Sequence, residues 1–289
     1  MSSNRHCDVM KNQKLYFIIG GSGRLGRALA KAYCAEAIIV LPRSVYCDWI
    51  TAEQRHSVIN YFRQYQNYDI TIFITSGLLD PTLPLEKLLS VNYWLPKNVI
   101  EGTGSFKVRT ITFGTVMEAL MPTGNNYITS KVKFSKNLEA LDLSNNCDRH
   151  LHIQIHTLYG IGIPNSFMFL GQILKALQKD KPFVMTSGSQ LREYHHIEDD
   201  VKAIRLLEQS GYTGIVDLSH GRPVSLLEIA NYIFEEFDSQ HLLKVGILPS
   251  TESENFTKTF KAPNILDSVQ FRDTLPSIGS YIKSLVTKS

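Results

Sequence analysis

Cysteine is scarce here. The 289 residues contain four, Cys7, Cys34, Cys47 and Cys147, with no CxxC or metal-ligand spacing. That excludes a disulfide framework and a cysteine-based zinc site, and leaves reduced thiols of a cytoplasmic protein as the expectation. An excess of one charge is missing too. Thirty Lys and Arg against 27 Asp and Glu leave +3, too little to indicate nucleic acid or a membrane surface as partner. No apolar run approaches the length that spans a bilayer. The opening MSSNRHCDVMKNQK lacks the apolar core of a signal peptide. There is no internal repeat and no low-complexity linker. What is present is 43% apolar residues, enough for a full-sized core, in a length that suits one large α/β domain or a domain with a smaller lobe.

Short β-rich runs alternate with helical stretches. Strands are predicted at 15–19, 37–41, 70–74, 108–113 and 151–158, and helices at 24–35, around 85–101 apart from Pro96, and at 126–143. Strand, glycine turn, helix and strand at the start make a βαβ unit, and its continuation predicts a doubly wound α/β fold with a parallel sheet covered on both faces. After Gly160 the texture changes. Turn residues cluster at Pro164-Asn165, Lys181-Pro182, Ser187-Gly188 and Gly221-Arg222-Pro223. Helices are predicted at 167–178, 197–209 and 225–237, with short strands at 214–218 and 242–247. This divides the chain into a Rossmann-type domain, 1–160, and a smaller mixed lobe, 161–289, interleaved with it. The expectation is a cleft between the two.

Gly20, Gly23 and Gly26 stand in GxxGxxG spacing between the first strand and the first helix. That context suits a pyrophosphate. The first glycine permits a sharp turn, the next admits the backbone to the phosphates, and Gly26 lets helix and strand pack closely. The helix N-terminus adds N–H donors and a positive dipole end. An acid after the second strand would hold a ribose 2′-hydroxyl, but the sequence there reads Leu41-Pro42-Arg43-Ser44. Arg43 and Ser44 can hold a 2′-phosphate, with Arg24 closing over it, so NADP(H) is preferred and NAD(H) is the alternative. Leu25, within the turn region, and Ser76, after the third strand, complete the cofactor candidates.

Tyr127 and Lys131 lie four apart on a predicted helix and share a face. A lysine ammonium, with an oxidised nicotinamide, would lower the phenol's pKa and make it a proton donor or acceptor for hydride chemistry. Tyr93 and Lys97 have the same spacing, but Pro96 sits between them and the pair precedes the strand that ends at Phe113. Thr115, just past that strand, can share the substrate oxygen with Tyr127. A turn threonine is the competing reading. No metal site is expected.

The order GxxGxxG, hydroxyl residue, YxxxK resembles the short-chain dehydrogenase/reductases, and most of the chain resembles their extended branch, which acts on nucleotide sugars. The likeness runs through Ile18 to Leu29 (IIGGSGRLGRAL), Val91-Asn92, Tyr127 to Lys131 (YITSK), Leu158-Tyr159-Gly160, Ser189 to Ala203 (SQLREYHHIEDDVKA), Gly221 to Ala230 (GRPVSLLEIA) and a final helix around 278–285. The spacing is similar to that of the nucleotide-sugar 4-ketoreductases. The resemblance implies that Tyr127 donates the proton, Lys131 partners it, Thr115 is the second donor, and the three glycines hold the pyrophosphate. It implies substrate contacts for Arg192, Asn165 and Phe167, a structural role for the segment holding His195 and His196, and a homodimer. Gly114 stands where a serine is common, and Gln154 where an arginine often precedes the turn at 158–160. Thr115-Val116-Met117 lacks the acid that the family's dehydratases carry after the threonine, which disfavours water elimination.

Three functions follow. The first is NADPH-dependent reduction of a 4-keto-6-deoxy nucleotide sugar. The second is 4-epimerisation, which must retain its dinucleotide through two half-reactions. The third is an NADP-binding redox sensor without turnover, disfavoured by the intact tyrosine–lysine pair.

Overall fold

The structure is a computed structural model that describes residues 13–121, 124–142, 149–250 and 258–287. Cys7, Cys147 and the stretch through residue 12 lie outside the described residues. Cys34 and Cys47 are free thiols at the surface.

Six strands form the central sheet. They are β1 (Lys14–Ile19), β2 (Ile38–Leu41), β3 (Asp69–Ile74), β4 (Val108–Thr115), β5 (His150–Ile155) and the strand Gly214–Asp217. The spatial order is Gly214–Asp217, β5, β4, β3, β1, β2. β1 pairs in parallel with both β2 and β3, setting Phe17 opposite Ile39 and Ile72, and β3 pairs in parallel with β4, setting Ile74 opposite Thr112. β1 and β3 read KLYFII and DITIFI and are buried along nearly their whole length, as strands covered on both faces must be. From β1 the chain goes outward to β2, then crosses to β3 on the other side of β1. The topological switch point therefore falls between β1 and β3, where open α/β sheets bind ligands beyond the strands' carboxyl ends.

One face of the sheet packs Phe17, Ile19, Ile70 and Ile72 against Trp49, Val58 and Phe62. The Arg55–Phe62 helix that brings Val58 and Phe62 was not predicted, because RHSVINYF has no clear apolar stripe. Tyr33 explains why the first helix, Arg24–Ala32, stops short of residue 35. Its buried ring packs between Tyr16 and Phe73, with centroids 4.9 and 5.1 Å away, and its carbonyl turns the chain by accepting the Glu36 amide. Pro96 does not interrupt the helical stretch as expected. Leu85–Leu89 continues through a π-helical turn, Ser90–Trp94, into Leu95–Thr103. A widened turn relieves the clash between a proline ring and the preceding carbonyls, and it coincides with the missing N–H.

The chain divides into two compact units, Met1–Gln154 with Glu208–Val216, and Ile155–Leu207 with Asp217–Ser289. The second has its own core, in which helices Phe169–Lys179, Leu226–Glu236 and Thr274–Val286 bury Ile173, Leu174, Ile233, Phe234, Ile278 and Ile282. Ser225 and Glu228 cap the middle helix reciprocally, each side chain accepting the other's backbone N–H. Two predicted strands are shorter than expected. The run 151–158 breaks at His156, whose ring bonds Asp217, and Thr157–Tyr159 pairs with Tyr194–His196 instead. The run 242–247 is a strand only at Leu243–Lys244, because the chain turns at Gly246 (φ +77°) and the Ile247 and Leu248 amides fold back onto the Met185 carbonyl.

Candidate active site

The glycine turn closes the carboxyl end of β1. Gly20 has φ +94°, and a Cβ there would lie 2.4 Å from the Ser76 amide nitrogen. A Cβ on Gly26 would lie 2.5 Å from the Gly20 carbonyl oxygen. Both positions therefore exclude a side chain, the first by conformation and close approach, the second by helix–turn packing. Gly23 caps the Arg24–Ala32 helix and donates its N–H to the Gly20 carbonyl at 3.0 Å. Across the switch point, the amides of Thr75 and Ser76 both donate to the Ile19 carbonyl (2.8 and 3.1 Å). Leu25 is buried in the core, so only its main chain is available to a cofactor. Arg43 and Ser44 begin a short helix after Pro42 and are exposed.

The second half of the site stands at the end of β4. Thr115 is its last residue, near enough to the Tyr127 phenol to influence its titration. Lys131, one turn on in the Asn126–Asp142 helix, is buried and donates from Nζ to the Phe113 carbonyl at 2.8 Å. A Cβ on Gly77 would lie 3.8 Å from that Nζ, so the lysine faces the loop that also packs on Gly20. The structure thus brings the tyrosine, lysine and threonine to the same edge of the sheet as the glycine turn. Asn92, noticed only as part of a family element, braces this edge. Its amide exchanges hydrogen bonds with both the N–H and the carbonyl of Leu78 and donates to Ser130 Oγ at 2.9 Å.

The buried groups of this edge have shifted titrations in the cofactor-free chain. Burial pushes the Tyr127 phenol above its ordinary range, and the Glu118 carboxylate adds to this. Thr115 opposes both. Burial pushes Lys131 down, with Glu118 opposing. Glu118 and its partner His152 were not found in the sequence, where nothing marks a glutamate on the short Met117–Leu120 helix. They also account for Gly114: a Cβ there would lie 2.4 Å from both Glu118 Oε1 and His152 Nε2, so no serine fits.

The competing pair is absorbed by packing. Lys97 pairs with Glu101 (2.6 Å) and lies over Trp94, while Tyr93 is buried edge-on to Trp94. In the second unit, Arg192 donates to its neighbour's carbonyl, Leu191, at 2.7 Å. Glu198 and Asp199 are bound by Arg272. Asn165 and Phe167 precede the Phe169–Lys179 helix, Phe167 exposed and Asn165 half-buried. His195 is buried between two carboxylates, with Nδ1 on Asp200 at 2.7 Å and Nε2 on Glu193 at 3.1 Å. Burial lowers its pKa, but the two carboxylates outweigh this and raise it to about 9. His156, Glu193 and His195 have ligand atoms close enough for a metal ion. However, the rings of His156 and His195 stack with planes 11° apart and centroids 5.1 Å apart. Both ring nitrogens of His195 are already engaged by carboxylates, and His156 Nε2 meets Asp217 at 2.9 Å.

No family profile matches the sequence. Solved structures do. A UDP-N-acetylglucosamine 4-epimerase from Methanobrevibacter ruminantium is 13% identical, with a TM-score of 0.75 over 96% of this chain and all of that one. A GDP-6-OMe-4-keto-L-xylo-heptose reductase from C. jejuni is 13% identical, with a TM-score of 0.74 over 96% of this chain and 99% of that one. The Bordetella bronchiseptica enzyme WbmG, solved with NAD and UDP, is 14% identical, with a TM-score of 0.73 over 94% and 95%. The chain shares the Rossmann-type α/β fold of these proteins.

Proposed function

We propose that this chain is an NADPH-dependent reductase of the 4-keto group of a 4-keto-6-deoxy, or 3,6-dideoxy, nucleotide sugar, acting in deoxysugar biosynthesis for a surface polysaccharide or glycoside. The observation that carries the reading is the neighbouring Thr115 and Tyr127 with Lys131 one turn away, at the sheet edge that also carries the glycine turn. The turn suits a dinucleotide, because tight main chain and a nine-residue helix's N-terminus meet at the switch point. A bound nicotinamide dinucleotide would supply the hydride. Gly20, Gly23, Gly26 and the amides of Arg24 and Leu25 hold its pyrophosphate, Ser76 lines the crevice, and Lys131 serves the ribose. Arg43, Ser44 and Arg24 favour a 2′-phosphate.

Thr115 and Tyr127 both reach the ketone oxygen. Two donors there stabilise the alkoxide as it forms. Tyr127 is a protonated phenol at neutral pH, the form from which it would give the final proton. Arg192, Asn165 and Phe167 take the nucleotide, with the exposed Phe167 ring available to a base. Homodimerisation belongs to this reading by resemblance and is checked by light scattering.

A second reading, nucleotide-sugar 4-epimerase, is favoured by the 4-epimerases among the similar structures. Both readings meet one test. NADPH and NADH consumption is followed against a panel of 4-keto-6-deoxy nucleotide sugars, 3-deoxy forms included. Rapid NADPH oxidation with one member supports the reductase. No oxidation, with NAD retained through purification, overturns it in favour of the epimerase.

A further inference from the structure

We propose that Tyr281 is a positioning residue for the nucleotide half of the substrate: from the last helix it holds the loop that carries Asn165 and Phe167 in its binding shape. The inference rests on the reading of that loop as the nucleotide's seat. Residues 160–168 run between the short strand Thr157–Tyr159 and the helix Phe169–Lys179. Compact surface loops are ordinarily packed by their own side chains. In this one Pro164 is buried, but Ile163 and Phe167 are 71% and 49% exposed. The loop is fastened chiefly through its main chain. The Tyr281 hydroxyl donates to the Gly162 carbonyl at 2.7 Å. The Met168 N–H donates to the Asn165 carbonyl at 2.9 Å, and Gln172 Nε2 to the Phe167 carbonyl at 3.0 Å. Gly171 lets the following helix press on the same turn, since a Cβ there would lie 2.1 Å from the Asn165 carbonyl oxygen. Three of these four contacts are local to the loop and the helix after it. The fourth, from Tyr281, comes from 119 residues away.

Tyr281 is a fixed post. Its helix, Thr274–Val286, buries Ile278 and Ile282 in the core of the second unit. Its ring is itself buried and lies 5.8 Å from the ring of Tyr159, the residue just before the loop. One side chain therefore packs where the loop begins and bonds the main chain three residues further on. A buried tyrosine ring needs a partner for its hydroxyl, and here that partner is a loop carbonyl, so the core's rigidity passes to the loop. Main-chain fastening fixes the loop while Ile163 and Phe167 stay at the surface. A base and its diphosphate then meet a surface already in place, and binding is spared the cost of ordering it. Loosening the Gly162 carbonyl leaves every side chain of the loop intact and brings that cost back.

The test is Tyr281→Phe, which keeps the buried ring and removes only the hydroxyl. Gly162 is exposed, so water replaces the lost donor, and urea unfolding confirms that the variant is folded. Binding of UDP, CDP, GDP and dTDP to wild type and variant is measured by titration calorimetry, with NADPH binding followed by fluorescence. For the diphosphate that the wild type prefers, the variant should lose about fivefold in affinity, the effect of one neutral hydrogen bond, with NADPH affinity unchanged. In turnover the loss should fall on KM and leave kcat unchanged. Tyr281→Phe combined with Phe167→Ala should lose less than the product of the two single losses, because both act on one loop. Unchanged diphosphate affinity in Tyr281→Phe overturns the proposal and leaves the reductase reading standing, and so does an equal loss of diphosphate and NADPH affinity. A fivefold loss confined to the diphosphate, with no NADPH turnover of any sugar, keeps Tyr281's role and sinks the reductase reading. A wild type that binds no nucleoside diphosphate overturns both.

Discussion

Two buried acid–histidine groups in this molecule look alike on paper and differ in kind. One is Glu193, His195, Asp200, His220 and Ser219 in the second unit. The other is Glu118 with His152, beneath Tyr127 and Lys131. In the first, the charges close on themselves. His195 is held between two carboxylates, Glu193 also accepts from the Ser219 hydroxyl (2.7 Å) and the His220 amide (2.8 Å), and the stacked neighbour His220 is pushed down to about 4 by burial and by His195. In the second, the carboxylate bears on a tyrosine and a lysine that stand at the carboxyl edge of the sheet beside the switch point. Burial and shifted titration mark both groups, so neither identifies a site. Position relative to the sheet does.

The largest expected effect lies on the second group. Tyr127→Phe should lower reduction of the accepted sugar by about 10²- to 10⁴-fold, the range for loss of a general acid. NADPH affinity, read by fluorescence, should stay within a few-fold. A loss confined to affinity would place Tyr127 outside proton transfer.

The first group should answer in stability. His195→Gln leaves two buried carboxylates without their cation and should cost about 3–5 kcal/mol in urea unfolding. The wild type's pH dependence carries the sign. His195 is raised from 6.5 to about 9, so its contribution is complete below 6.5 and is lost as pH rises through about 9. Glu193 is lowered from 4.5 to about 2, so its contribution is complete above 4.5 and is lost as pH falls through about 2. The joint plateau lies between 4.5 and 6.5. A maximum well above 9 would contradict the assigned charges.

Smaller effects separate the cofactor's two ends. Gly20→Ala forces a side chain into a φ of +94° and against the Ser76 backbone, and should destabilise by about 1–3 kcal/mol while weakening binding of NADPH and NADH alike. Arg43→Ala should act on NADPH alone, with about a fivefold loss of preference over NADH, since an exposed charge-assisted contact contributes about 1 kcal/mol. Equal losses with the two cofactors would remove the 2′-phosphate from Arg43's role.

The candidate triplet Thr115, Tyr127 and Lys131 and the glycine turn were legible because each is a local pattern on one strand–helix junction. The sheet was legible for the same reason, through apolar runs such as KLYFII. What escaped depends on through-space neighbours. The Arg55–Phe62 helix has a weak stripe and is held by packing on Trp49 and the sheet. Pro96 reads as a break because a π-helical turn leaves no sequence mark. Glu118 and His152 are 34 residues apart and meet only when β4 and β5 pair, and the missing Cβ of Gly114 reads as a departure until their side chains fill its place. Arg272, which holds Glu198 and Asp199, is still more distant in sequence, so its pairing could not be read either.

The most direct test of the central claim is single-turnover oxidation of bound NADPH by a 4-keto-6-deoxy nucleotide sugar, run side by side on wild type, Tyr127→Phe and His195→Gln at pH 6. Rapid oxidation is expected in the wild type and in the folded fraction of His195→Gln, with near-complete loss in Tyr127→Phe. Oxidation that survives Tyr127→Phe, or that no sugar elicits from the wild type, contradicts it.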